Sequence, residues 1–193
     1  MGFKELEEAV ERSIVKLFAT FHEKPAIFLT EGDVKCYLYS LLINEPSIRD
    51  SSPTLRYFSE RMESSKTLLV HAEYPVIIEG KNKKVDISIY EPQESVDFSD
   101  WKLTIGIEIK YDRKEPARKE KSNILEDVKK VAEYQIGYIL WLNWDREIND
   151  DHLKKVENLI KSYENVKLFY LDLFSDPIKT NVKEISTLLN KNA

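Results

Sequence analysis

Two short runs of strict apolar alternation constrain this chain more than anything else in it. Lys84-Val85-Asp86-Ile87-Ser88-Ile89-Tyr90 and Leu103-Thr104-Ile105-Gly106-Ile107-Glu108-Ile109-Lys110 carry a branched apolar residue at every second position. Successive side chains of a strand point to opposite faces, so each run has one apolar and one mixed face. Val85, Ile87 and Ile89 form the apolar face of the first run, with Asp86 and Ser88 opposite. Leu103, Ile105, Ile107 and Ile109 form that of the second, with Thr104, Gly106, Glu108 and Lys110 opposite. If the strands pair as neighbours, Asp86, Glu108 and Lys110 lie on one side of a sheet.

The elements around these runs follow from periodicity. Residues 3–21 read as a helix with Leu6, Val10, Leu17 and Phe21 on one side. Thr30 looks like an N-cap, with Asp33 three residues on, before a helix carrying Val34, Leu38, Leu41 and Leu42. Residues 45–66 are polar, and Pro46, Ser51, Ser52 and Pro53 mark a loop ahead of a short helix. A strand spans 68–78, and Gly80 with Asn82 turns the chain into the first alternating run. The acidic stretch 91–100 connects the two runs. A helix over 122–135 turns Leu125, Val128 and Ala132 inward. A strand at 138–142, a helix at 148–163, a strand at 166–171 and a helix at 178–189 complete the order α-α-β-β-β-α-β-α-β-α. This predicts an α/β fold with a mixed central sheet between helices. The 193 residues suit one domain, 1–193.

Composition narrows the function. No stretch approaches a membrane span of about 18–20 apolar residues. The amphipathic N-terminal stretch is unlike a signal peptide. Cys36 is the single cysteine, which excludes an internal disulfide and a cysteine-based zinc site and suits a reducing cytoplasm. The net charge of −5 argues against coating nucleic acid by bulk charge, but leaves room for a local basic grip. No Gly-rich phosphate loop supports nucleotide binding.

Glu-x-Lys occurs twice, as Glu79-Gly80-Lys81 and Glu108-Ile109-Lys110. The first lies in a turn. Only the second ends an apolar strand whose predecessor places an acid, Asp86, on its polar face. Two carboxylates so placed can hold Mg²⁺ through oxygen ligands, with the Ile109 carbonyl as a further donor. The metal polarises a phosphoryl group and lowers the pKa of a bound water. Lys110, about 6.5–7 Å along the strand from Glu108, can orient that water or stabilise transition-state charge.

The string Val85-Asp86, then Glu108-Ile109-Lys110, resembles the PD-(D/E)xK nuclease superfamily, the restriction-endonuclease-like fold. The resemblance covers residues 28–143, an α-β-β-β-α-β core to which the N-terminal helix and a C-terminal α-β-α segment are additions. It implies Asp86, Glu108 and Lys110 as catalytic residues, and Glu31, Asp86, Glu108 and Ile109 as metal ligands. The implied cofactor is Mg²⁺, with Mn²⁺ able to substitute. The implied activity is hydrolysis of DNA by an endonuclease, since Gln135 and Tyr138 do not have the Gln-x-x-x-Tyr spacing of the exonuclease branch. A homodimer would suit cutting both strands of a symmetric site. The alternative is a non-catalytic nucleic-acid- or partner-binding module on the same fold.

Other residues have a functional and a plainer reading. Glu31 sits in a helical first turn, where the dipole favours any acid, yet it lies on the line of Val34, Leu38 and Leu41. Glu73 is a candidate partner behind the metal ligands, and His71, a candidate base, is more simply structural. Arg113, Lys114, Arg118, Lys119 and Lys121 follow the Glu-x-Lys string as a phosphate grip or as a solvated loop. Lys81, Lys83 and Lys84 form a smaller basic cluster. Trp141 and Trp144 read as packing before base stacking.

Overall fold

The computed structural model describes residues 1–51, 54–55, 65–66, 69–91, 103–112, 124–144 and 150–173. Helix α1 (Phe3–Glu23) buries Leu6, Val10, Leu17 and Phe21, and with them Ala9, Ser13, Ile14 and Phe18. A single 3-10 turn, Pro25–Ile27, leads to α2 (Glu31–Asn44). Thr30 caps α2 as its sequence suggests: its side chain accepts from the Asp33 amide, while the Asp33 carboxylate accepts from the Thr30 amide. Pro46 does not sit in a loop. It opens the short helix α3 (Pro46–Asp50), because proline at a first helical position loses no hydrogen bond. Two-residue strands β1 (Thr54–Leu55) and β2 (Ser65–Lys66) pair with each other.

The main sheet has five strands in sequential order: β3 (Val70–Ile78), β4 (Lys81–Tyr90), β5 (Leu103–Asp112), β6 (Ile136–Asn143) and β7 (Val166–Asp172). The first three are antiparallel neighbours, and β5, β6 and β7 run parallel. Helices α4 (Ile124–Ala132) and α5 (Asp150–Ile160) lie on the crossovers, as parallel connections require. The protein is thus α/β, with an open mixed sheet. No helix among the described residues is long and apolar enough to cross a membrane.

Both faces are covered. Ile87, Ile89, Ile105, Ile107 and Ile109 pack with α1 and α2, while Ile139, Trp141, Leu168 and Tyr170 pack with α4 and α5. Three expectations about buried faces change, one of them at Leu103, which packs on the α4 side and not with Ile105, because the β4–β5 register shifts between Ile89 and Tyr90. The inward stripe of α4 is Ile124, Val128 and Val131, with Ala132 only partly buried. Val85 packs on the α4 side and not with Ile87. The change falls where the pairing is interrupted: Glu73 has a φ of +54°, and Glu73 and Asp86 drop out of the β3–β4 pairing while the register continues on either side. Alternation is reset there, and Val85 turns over with its partner Tyr74, whose ring meets His71 and Tyr90. The predicted helix at 178–189 lies outside the described residues.

Candidate active site

The site begins where two strands part. The β4–β5 ladder runs from Tyr90↔Leu103 to Ile87↔Ile107 and then stops. In place of the next rung, Asp86 Oδ2 accepts the Ile109 backbone N–H at 2.9 Å. The N–H and C=O of one strand residue point to the same edge, so the Ile109 carbonyl also faces this opening. Asp86 Oδ1 meets Lys35 Nζ at 3.2 Å, and the same ammonium pairs with Glu73. The Lys35 contact holds the Glu73 carboxyl below its usual range.

Glu108 is only 2% exposed. Lys130 Nζ, from α4, lies 2.8 Å from Glu108 Oε1 and 2.8 Å from Asp127 Oδ1. Lys110 Nζ lies 3.0 Å from Asp127 Oδ2. Glu108 Oε1 and Asp127 Oδ2 are both buried, and each lies within ion-pair distance of a lysine ammonium. Burial first, and then the charge of Asp86, push the Glu108 carboxyl up to about 8. Burial works against the Lys130 and Lys110 charges, but the neighbouring acids outweigh it and raise both pKa values.

Glu31, the first residue of α2, reaches the same opening. It accepts from the Tyr111 amide, and burial raises its carboxyl, offset in part by Lys110 and reinforced by Asp86. Tyr111 O–H in turn donates to the Phe28 carbonyl at 2.6 Å, fastening the start of α2 to the end of β5. The floor beside Glu108 is closely packed. Ser88 Oγ and Tyr134 O–H lie 2.6 Å apart, and the Tyr134 ring covers Gly106 so closely that a Cβ there would sit 2.7 Å from it.

The structure therefore gathers Glu31, Asp86, Glu108, Ile109 and Lys110, with Glu73 at the rim beyond Lys35. His71 is instead ringed by Tyr74 and Tyr90. Lys83 pairs with Glu126 and Lys84 lies 4.0 Å from Glu73. Trp141 is buried in the core and Trp144 packs on Phe21. Arg113, Lys114, Arg118, Lys119 and Lys121 lie outside the described residues. Sequence reasoning missed Lys35, Asp127 and Lys130. The signal was available: Lys35 follows Glu31 by four residues, and Asp127 sits on the buried line between Ile124 and Val131.

The donor set is all oxygen and suits a hard divalent cation, and the buried Glu108 Oε1 without a hydrogen bond is a donor such an ion would satisfy. Among the described residues, however, no group of three acidic, His or Cys side chains is already placed to hold an ion, and Lys35 and Lys130 stand beside the carboxylates. Comparison with protein-family models, curated proteins and solved structures finds no match.

Proposed function

We propose that this chain is a Mg²⁺-dependent nuclease of the PD-(D/E)xK kind, hydrolysing phosphodiester bonds in DNA as a cytoplasmic endonuclease. The observation that carries the reading is the gap between β4 and β5. There Asp86, Glu108 and the Ile109 carbonyl edge meet Glu31 from α2, with Lys110 two residues beyond the acid. Asp86, Glu108, Ile109 and Glu31 would hold the ion, and Mn²⁺ would substitute. When bound, the ion supplies Lewis-acid polarisation and a more acidic water.

The chain's own residues have defined tasks in this account. Asp86 is held in place by the Ile109 amide, so its position does not depend on the metal. Lys110 is kept charged by Asp127 and stabilises negative charge that builds on the phosphoryl oxygens. Tyr134 and α4 close the floor beneath Glu108 against water, which strengthens each charge interaction above it. Arg113, Lys114, Arg118, Lys119 and Lys121 follow β5 directly and grip phosphates on either side of the cut. A homodimer would bring two such sites to the two strands of a duplex.

The test is incubation of supercoiled, linear duplex and single-stranded DNA with Mg²⁺ or Mn²⁺, beside a Glu108→Ala preparation. Metal-dependent cutting by wild type alone supports the nuclease and reads its strand preference. One observation favours a second reading, a non-catalytic nucleic-acid- or partner-binding module: lysines already neutralise both central acids. DNA binding without cutting, and without any response to Mn²⁺, would select that reading.

A further inference from the structure

Lys130 has no role in the account above, yet it lies at the centre of the buried charges. It is 14% exposed, and its ammonium is equidistant, at 2.8 Å, from Glu108 Oε1 and Asp127 Oδ1. We propose that Lys130 is a resident counter-cation, which holds Glu108 in the metal-free protein and passes wholly to Asp127 when a divalent ion takes Glu108. This rests on the metal-site reading and adds to it a device that governs how tightly the ion is held.

Three features carry the inference. Glu108 is almost fully buried, and the Lys130 ammonium 2.8 Å from its Oε1 balances its charge. Whenever the Glu108 carboxyl is ionised its charge is buried, and leaving that charge without a counter-charge is costly, so the metal-free protein needs this ammonium. Asp127 supplies the second requirement. It is also buried, it lies three residues before Lys130 on the same face of α4, and it offers that ammonium a partner that does not depend on Glu108. Lys130 therefore loses one pairing on metal binding but is never stranded. The other Asp127 oxygen holds Lys110, so the acid and the lysine of the Glu-x-Lys string are joined through α4 as well as through β5. Asp127 is thus a positioning residue for both ammonium groups.

Calorimetric titration of the full chain with Mn²⁺ tests this without reference to activity. Lys130→Gln removes the competitor and should bind Mn²⁺ roughly tenfold more tightly, the size of one charge-assisted contact. Asp127→Asn takes away the second partner, leaves Lys130 committed to Glu108, and should weaken Mn²⁺ by roughly as much. Lys129→Gln makes the same charge change one residue away, at an exposed lysine paired with Glu79, and should leave affinity unchanged. Wild-type affinity in Lys130→Gln overturns the proposal, and so does equal tightening by Lys129→Gln, which would be bulk charge alone. Lys130→Gln leaves the Lys110–Asp127 pair in place, so it decides the question even if Asp127→Asn does not fold. If wild type binds no more Mn²⁺ than Glu108→Gln, the metal site itself is refuted and the counter-cation with it; unchanged affinity in Lys130→Gln beside a wild type that binds refutes the counter-cation alone.

Discussion

The Asp86 carboxylate stands where the next rung between β4 and β5 would be, accepting the Ile109 amide at 2.9 Å. One side chain thus ends a ladder and fixes the entrance of a site. Asp86→Ala leaves a half-buried amide without its acceptor and should cost about 1–3 kcal/mol. Asp86→Asn keeps an oxygen for that amide and should cost less, while both variants lose cleavage. Urea denaturation beside a cleavage assay separates the two effects. Equal stability of wild type and Asp86→Ala would remove the amide contact from the account.

Glu108 should make the metal-free protein sensitive to pH. Its carboxyl is pushed from 4.5 up to about 8 by burial and by Asp86, so folding favours the protonated form. The stability this confers is fully present below the unfolded carboxylate value and is lost as pH rises through about 8. Glu108→Gln keeps the neutral shape, leaves Lys130 its Asp127 partner, and should flatten this dependence. Thermal melts in chelator across that range check it. A wild-type profile as flat as that of Glu108→Gln would contradict the burial argument.

Gly106 is fixed by what lies over it. A methyl group there would sit 2.7 Å from the Tyr134 ring, which Ser88 holds in place through its hydroxyl contact. Gly106→Ala should therefore cost about 1–3 kcal/mol by overpacking. Tyr134→Phe loses only the Ser88 partner, about 1 kcal/mol. In a Tyr134→Ala background, Gly106→Ala should cost less than it does in wild type, because the clash is with the ring. Chemical denaturation of the set checks this, and additive losses would refute it.

Much of the fold was legible because alternation and helical periodicity report directly on which face is buried. The Ile105, Ile107, Ile109 row and the Thr30–Asp33 cap are examples. Glu108 and Lys110 were visible for the same reason: charges on a strand with two covered faces. Val85 was misread because the alternation is reset where Glu73, a left-handed residue on the neighbouring strand, drops out of the pairing, and nothing local to Val85 reports it. The α4 stripe was read only in part: Val128 is on it, but Ile124 and Val131 are buried as well, while Ala132 is only partly buried. A buried Asp127 breaks the rule that charged residues face water, so it hid the true stripe until its lysine partners were in view. Lys35 and Lys130 come from helices distant in sequence, and only the packing of α2 and α4 on the sheet brings them to the acids.

The most direct test of the central claim is cutting of supercoiled plasmid by wild type and Glu108→Gln, purified identically and compared in Mg²⁺ and in chelator. The account predicts nicked and linear products from wild type in Mg²⁺ only, and none from a folded Glu108→Gln. Cutting by both proteins alike, or by wild type in chelator, would contradict it.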